Sequence, residues 1–209
     1  VTLKVEPPYI LAGGEGEALW FSGGLLTYKT TGDQTGGRLA IAEVLAPEGT
    51  GSPKHLHHHE DEAWYVIDGE LTFFLGESQH LAGPGSFVFG PRRVEHRFEV
   101  TSPQARFLIL VTPAGFEDFT RICGDPATSP TMPPPDLPPK DVQLLMDAAR
   151  AHGLEILDQE SSSVQPALRT FAGRDREETK TGRTHPHRRA GTADASTQSL
   201  LSARIPTPD

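Results

Sequence analysis

From Ala18 to Val111 the chain is broken by turn signals at intervals of about eight to twelve residues, and the runs between them carry no helical period. Gly23-Gly24, Gly36-Gly37, Asp68-Gly69 and Gly83-Pro84-Gly85 bound segments rich in aromatic and β-branched residues. Strands are predicted over 18–21, 25–30, 38–46, 55–58, 62–67, 71–75, 87–89, 96–100 and 106–111. In the run from Arg38 to Ala46, alternation sets Leu39, Ile41 and Glu43 on one face and Ala40, Ala42 and Val44 on the other. Asp68-Gly69 between two apolar runs reads as a hairpin turn. Short strands with no helix between them imply an all-β sandwich or barrel, and a double-sheet jelly roll is the natural form.

Within this pattern lies GTGSPKHLHHHEDEAWYVIDG, Gly49 to Gly69, which has the spacing G-x5-H-x-H-x4-E-x6-G. Side chains on a strand alternate between faces, so His55 and His57 face the same way and can chelate a divalent metal. Glu62 on the next segment can join them as a ligand or act as a base. A His-rich run can equally be a solvated loop, but here the strand-like Ala63–Ile67 follows at once. A pair formed by His57 and His59 would leave only two residues before Glu62, so His55 and His57 are preferred; His58 and His59 have no assigned role. If Glu62 faces inward, so do Trp64 and Val66, with Ala63, Tyr65 and Ile67 on the other side.

A second stretch, GSFVFGPRRVEHRFEV, has the spacing G-x5-P-x4-H through Gly85, Pro91 and His96. In this order the two stretches resemble the paired signature motifs of the cupin superfamily. The resemblance implies a metal site of His55, His57, Glu62 and His96. It also implies one divalent transition metal per chain: Ni, Co, Mn or Fe, with Zn also compatible. Within cupins, three features are similar to quercetinases, the flavonol 2,4-dioxygenases, especially their single-domain bacterial members. These are the x4 spacing before Glu62, Arg93 where a Gly usually follows Pro91 by two residues, and the upstream run from Ala18 to Gly37. That similarity spans about residues 7–122 and extends loosely through the segment that follows. The Asn that often lies four residues after the last motif histidine is Val100 here.

Quercetinase resemblance implies a small aromatic substrate, dioxygen, and ring cleavage with release of carbon monoxide. Glu62 is then the candidate catalytic base, and its alternative role is a permanent fourth ligand. A flat substrate needs an apolar cleft, for which Trp64, Phe73, Phe87 and Phe98 are the candidate lining. Phe89, Trp20 and Tyr28 are further inward candidates, although aromatic residues at alternating spacing are core before they are pocket. Two other readings stay open: a cupin isomerase, epimerase or polyketide cyclase using the same centre without oxygen, and a non-catalytic small-molecule-binding cupin.

Charge narrows the partners. The 209 residues carry a net −9; residues 1–160 hold 11 basic against 23 acidic groups, or −12, and residues 161–209 hold eight against five, or +3. An acidic body without a basic stripe argues against nucleic acid and against an anionic membrane surface. With one cysteine, Cys123, there is no disulfide framework, and a cytoplasmic location is expected. A homodimer is expected from family habit and from the barrel edges.

Residues 1–122 are therefore read as the β-barrel domain with an N-terminal arm. Residues 123–160 are read as a Pro-rich linker and an amphipathic helix packing on the barrel, and 161–209 as a disordered tail. A short helix is expected over 114–122. The second helix is placed over 140–152, with Pro139 at its start and Gly153 at its cap. His185 and His187 in the tail are taken as solvated.

Overall fold

A computed structural model describes residues 7–157. In chain order the elements are β1 Glu17–Phe21, β2 Gly24–Thr30, α1 Gly32–Thr35, β3 Ala40–Pro47, β4 His55–His57 and β5 Asp61–Asp68. They continue with β6 Leu71–Leu75, β7 Ser78–Ala82, β8 Phe87–Gly90, β9 His96–Val100 and β10 Gln104–Thr112. The last are α2 Phe116–Cys123, β11 Asp125–Pro126, α3 Val142–Ala151 and β12 Leu154–Ile156. The strands form two antiparallel sheets, ordered β11-β1-β2-β3-β10-β5-β8 and β12-β4-β9-β6-β7. This is the all-β jelly roll that the turn spacing predicts. The reading of residues 161–209 lies outside the described residues.

Alternation drives the packing. In β10, Ala105, Phe107, Ile109 and Val111 point inward, and β3 answers across the pair with Ala40, Ala42, Val44 and Ala46. Between the sheets lies one apolar core centred on Trp64, Val66, Leu71, Phe73 and Phe107, all 0% exposed. Trp64 and Phe73 meet at 5.1 Å between ring centroids, and Trp64 stands edge-on to His96 at 5.4 Å. The aromatic core thus backs directly onto a motif histidine, and each such ring pair adds about 0.5–1.5 kcal/mol beyond its burial.

Three local readings change in the structure. Asp68-Gly69 does not close a hairpin: β5 and β6 belong to different sheets. Gly69 (φ +79°) lies so close to the β9–β10 connection that a Cβ would meet the Gln104 carbonyl at 2.3 Å. Glu70 is tied to the same connection, its N–H donating to Ser102 Oγ and its carbonyl accepting from Thr101 N–H. The turn is therefore a corner between sheets. β7 has no counterpart in the predicted strands because its four leading residues, Ser-Gln-His-Leu, are exposed and show no alternation; it is an edge strand. β12 likewise has no predicted counterpart, being only three residues long and lying beyond the last helix.

Downstream, the Pro-rich segment is docked: β11 pairs with β1, and Trp20 Nε1 donates to the Thr131 carbonyl. α3 starts two residues later than expected, because the Asp141 side chain caps it by accepting from Leu144 N–H. Its buried face, Leu145, Ala148 and Ala149, packs with Phe119, Cys123, Leu154 and Ile156 in a second, smaller cluster. Among the described residues no helix is long and apolar enough to cross a membrane.

Arg93 adopts φ +66° in the β8–β9 turn, with its N–H donating to the His57 carbonyl at 2.7 Å. A left-handed conformation disfavours any residue with a Cβ by roughly 1–2 kcal/mol. Arg93→Gly should therefore raise stability by about 1 kcal/mol, net of the glycine's larger unfolded-state entropy. A urea midpoint that shifts upward with unchanged slope bears this out; a downward shift means that the Arg93 side chain contributes more than its backbone strain costs.

Candidate metal centre

Three histidines reach the site from the five-stranded sheet and one carboxylate from the seven-stranded sheet. His55 and His57 flank Leu56 on β4 and share its inner face. His96 opens β9 directly opposite His55, with their ring centroids 4.4 Å apart. Glu62 near the start of β5 faces them across the barrel, and its neighbours in the sheet are Val111 and Gly90. One donor atom from each of His55, His57, Glu62 and His96 falls within 4.8 Å of every other, and all four residues are buried.

The outer nitrogens decide what the inner ones present. His55 Nδ1 lies 2.8 Å from the Pro53 carbonyl and His96 Nδ1 lies 2.9 Å from the Val94 carbonyl. A carbonyl only accepts, so each Nδ1 carries the ring proton and each Nε2 turns a lone pair inward in the neutral ring. His57 Nδ1 faces the buried Glu60 carboxylate at 3.4 Å. Glu62 Oε2 then lies 3.0, 3.2 and 3.9 Å from Nε2 of His57, His96 and His55. His57 Nε2 makes no hydrogen bond despite that approach. Four acceptors converging in a dry site repel one another unless a proton or a cation sits among them. Their N3O composition, with second nitrogens held by carbonyls and a carboxylate, fits a divalent first-row metal.

The pKa directions follow from this crowding. Burial opposes a proton on His57, but the Glu60 and Glu62 carboxylates outweigh it and raise the ring to about 9. Burial dominates at His55 and lowers it. Burial alone would raise Glu62, yet its interactions with His55, His57 and His96 hold it well below the usual carboxylate range. Beside the site, Arg92 forks onto Asp61 through Nε and a terminal nitrogen and holds that carboxyl down to about 2, bracing the turn between β8 and β9.

A narrow cleft with about 60 Å³ of free volume opens onto His55 and Glu62. Of the four aromatic residues predicted to line it, Phe98 does. Trp64 and Phe73 are fully buried core behind the site. Phe87 is 63% exposed, and Phe89, expected inward with it, is 52% exposed. The register explains the correction: Phe87 pairs with Tyr65 and Phe89 with Ala63 on the outer face, while Val88 and Gly90 point inward opposite Trp64 and Glu62. A Cβ on Gly90 would lie 3.2 Å from the Trp64 ring and 3.4 Å from His96 Nδ1, so the inner face has no room for a side chain there. Trp20 reaches the Pro-rich segment, and Tyr28 shares a 2.7 Å hydrogen bond with Thr120. His58 pairs with Glu155 at the surface, and His59 is exposed.

Several residues at the site went unassigned in the sequence reading. Glu60 is buried against His57; its only signal is an acidic residue three positions from a candidate ligand. Phe116 and Phe119 on α2 line the cleft, and Phe116 meets the His57 ring edge-on at 5.5 Å. Their one-turn spacing was visible but did not reveal what they faced. Glu117 holds α2 in place, its buried carboxylate accepting from Gly32 N–H and Gly115 N–H at 2.6 and 2.8 Å.

Residues 42–112 match the family profile of the cupin domain. The chain is 27% identical over 119 residues to a quercetin 2,3-dioxygenase of Bacillus subtilis, covering 57% of this chain and 35% of that protein. It is 26% identical over 117 residues to a quercetin 2,3-dioxygenase of Aspergillus japonicus, covering 53% and 33%. The chain thus spans about a third of the length of these curated relatives. Among solved structures, an RmlC-like cupin from Shewanella frigidimarina aligns with a TM-score of 0.46 and 18% identity, over 55% of this chain and 97% of that one.

The raised His57 sets a pH dependence. In metal-free protein its stabilisation is present below the unfolded value of 6.5 and is lost as pH rises through about 9. A metal needs the same nitrogen without its proton, so metal stabilisation grows across that window. The melting temperature of the stripped protein should fall from pH 6.5 to 9 while the gap to zinc- or cobalt-loaded protein widens. A gap that stays constant across the window would remove His57 from the ligand set.

Proposed function

We propose that this chain, whose residues 42–112 match the cupin domain, is a metal-dependent dioxygenase of quercetinase type, acting on a flavonol or a related enolisable aromatic. The observation that carries this reading is the junction of an apolar, aromatic cleft with the three-histidine, one-glutamate centre. Phe21, Phe98, Phe116 and Phe119 line the cleft, and His55 and Glu62 stand where it meets the centre. Among its lining residues there is no Lys or Arg, which disfavours a sugar phosphate or uronate and suits a neutral, flat molecule. The curated relatives named above support the same class.

His55, His57 and His96 would hold the metal, with Glu62 completing the centre beside them. When bound, a divalent metal supplies Lewis acidity toward a substrate hydroxyl. The protein's own groups do the rest. The aromatic walls orient the ring plane and exclude water, which strengthens electrostatic interactions inside. Glu62 stands where the cleft meets the centre and is the acceptor for the hydroxyl proton. The substrate left behind is an electron-rich anion, the form that reacts with dioxygen. Glu60 behind His57 and the Pro53 and Val94 carbonyls behind His55 and His96 keep the rings oriented throughout.

The test is aerobic loss of quercetin's visible absorbance by protein stripped and reloaded in turn with Ni, Co, Mn and Fe, with carbon monoxide followed in the headspace. Metal-dependent bleaching with carbon monoxide is expected. Protein holding one metal per chain without turnover would sink the flavonol reading. Glu62→Gln should retain metal while the rate falls at least about 100-fold, as for loss of a general base. Loss of metal in that variant would instead make Glu62 a permanent ligand.

A further inference from the structure

The cleft has a wall that lies outside residues 42–112, the part of the chain that matches the cupin domain. β12 is hydrogen-bonded along β4, with Leu154 opposite His57 and Ile156 opposite His55. Cross-strand partners share a face, so these two side chains stand beside the two histidines, and both line the cleft. The pairing is closed at both ends: His58 N–H donates to the Gly153 carbonyl at 2.8 Å, and Leu157 N–H donates to the Lys54 carbonyl at 2.9 Å. β12 itself packs with Leu145, Ala148, Ala149 and Cys123 in a cluster of its own, joined to the main barrel core through Phe21 and Phe116. Glu155, between them, points away and pairs with His58 at the surface.

We propose that β12 is a strap and that Ile156 and Leu154 are specificity-determining residues, setting the width of the neutral, flat molecule admitted to the centre. The barrel supplies four side chains for chemistry, and the strap supplies the surface against which a substrate's non-reacting edge lies. The arrangement separates the two tasks: Leu154 and Ile156 change the cleft without touching a histidine's nitrogen partners at Pro53, Val94 and Glu60. This inference rests on the cleft being the substrate's place, as in the proposed function, but not on the reaction that follows.

The test uses two neutral, apolar fluorescent dyes of different width, N-phenyl-1-naphthylamine and the broader Nile red, titrated into the full chain. Ile156→Ala should raise the ratio of Nile red to N-phenyl-1-naphthylamine affinity at least tenfold, and Ile156→Trp should lower both affinities at least tenfold. Glu155→Ala should match the wild type. Circular dichroism and bound-metal content report folding; if Ile156→Trp does not fold, Ile156→Met and Ile156→Ala carry the comparison. An unchanged ratio in the folded Ile156 variants, an equal change in Glu155→Ala, or no dye binding by the wild type would each overturn the proposal. Dye selectivity that follows Ile156 in a chain that never bleaches quercetin would keep the strap and remove the flavonol reading. Quercetin turnover with dye selectivity indifferent to Ile156 would do the reverse.

Discussion

Everything at the working end of this barrel depends on one electrostatic constraint: a carboxylate from one sheet and three imidazoles from the other meet in a dry space. Glu62 Oε2 approaches His57 Nε2 at 3.0 Å and His96 Nε2 at 3.2 Å. Such a group is stable only with positive charge among its lone pairs, whether a proton or a metal. Meeting that condition requires the two sheets to hold a fixed separation and register at this end. Trp64, edge-on to His96 and backed by Phe73, meets it mechanically.

Orientation of the rings is settled by groups just outside the centre. Backbone carbonyls of Pro53 and Val94 accept from His55 and His96, and both lie in the irregular segments that lead into their strands. Prolines and turns in those segments are therefore part of the site, since they leave carbonyls free of the sheet ladder and close to the rings. The α2 helix extends the same logic: buried Glu117 ties its start to Gly32 and Gly115, which keeps Phe116 against His57 and over the cleft.

Strand alternation and motif spacing read well from residues alone where a strand is half buried. The faces of β3 and the inward set Glu62, Trp64 and Val66 follow from parity within one strand. Parity failed where two strands had to be registered against each other. Phe87 and Phe89 look like core by composition, yet pairing with Tyr65 and Ala63 turns them outward, and the inward position opposite Glu62 is Gly90. Likewise Asp68-Gly69 has hairpin chemistry, but its Gly is pressed against Gln104 and Ala105, so the chain crosses between sheets there. The contact that decides the turn lies more than thirty residues away in sequence.

By itself the sequence determined the all-β architecture and the residues able to form a centre, because both rest on local periodicity and on spacing within a few residues. It also placed α2 and α3 to within a few residues, since capping groups and helical spacing are local as well. Only the tertiary structure decided which aromatic side chains face the centre, that Glu60 stands behind His57, and that β12 pairs with β4 to bring Leu154 and Ile156 beside the histidines. Those outcomes depend on inter-strand register and on packing between segments up to a hundred residues apart. A one-residue change of register reverses every side chain on a strand, and nothing in the local pattern of β8 or β12 specifies it.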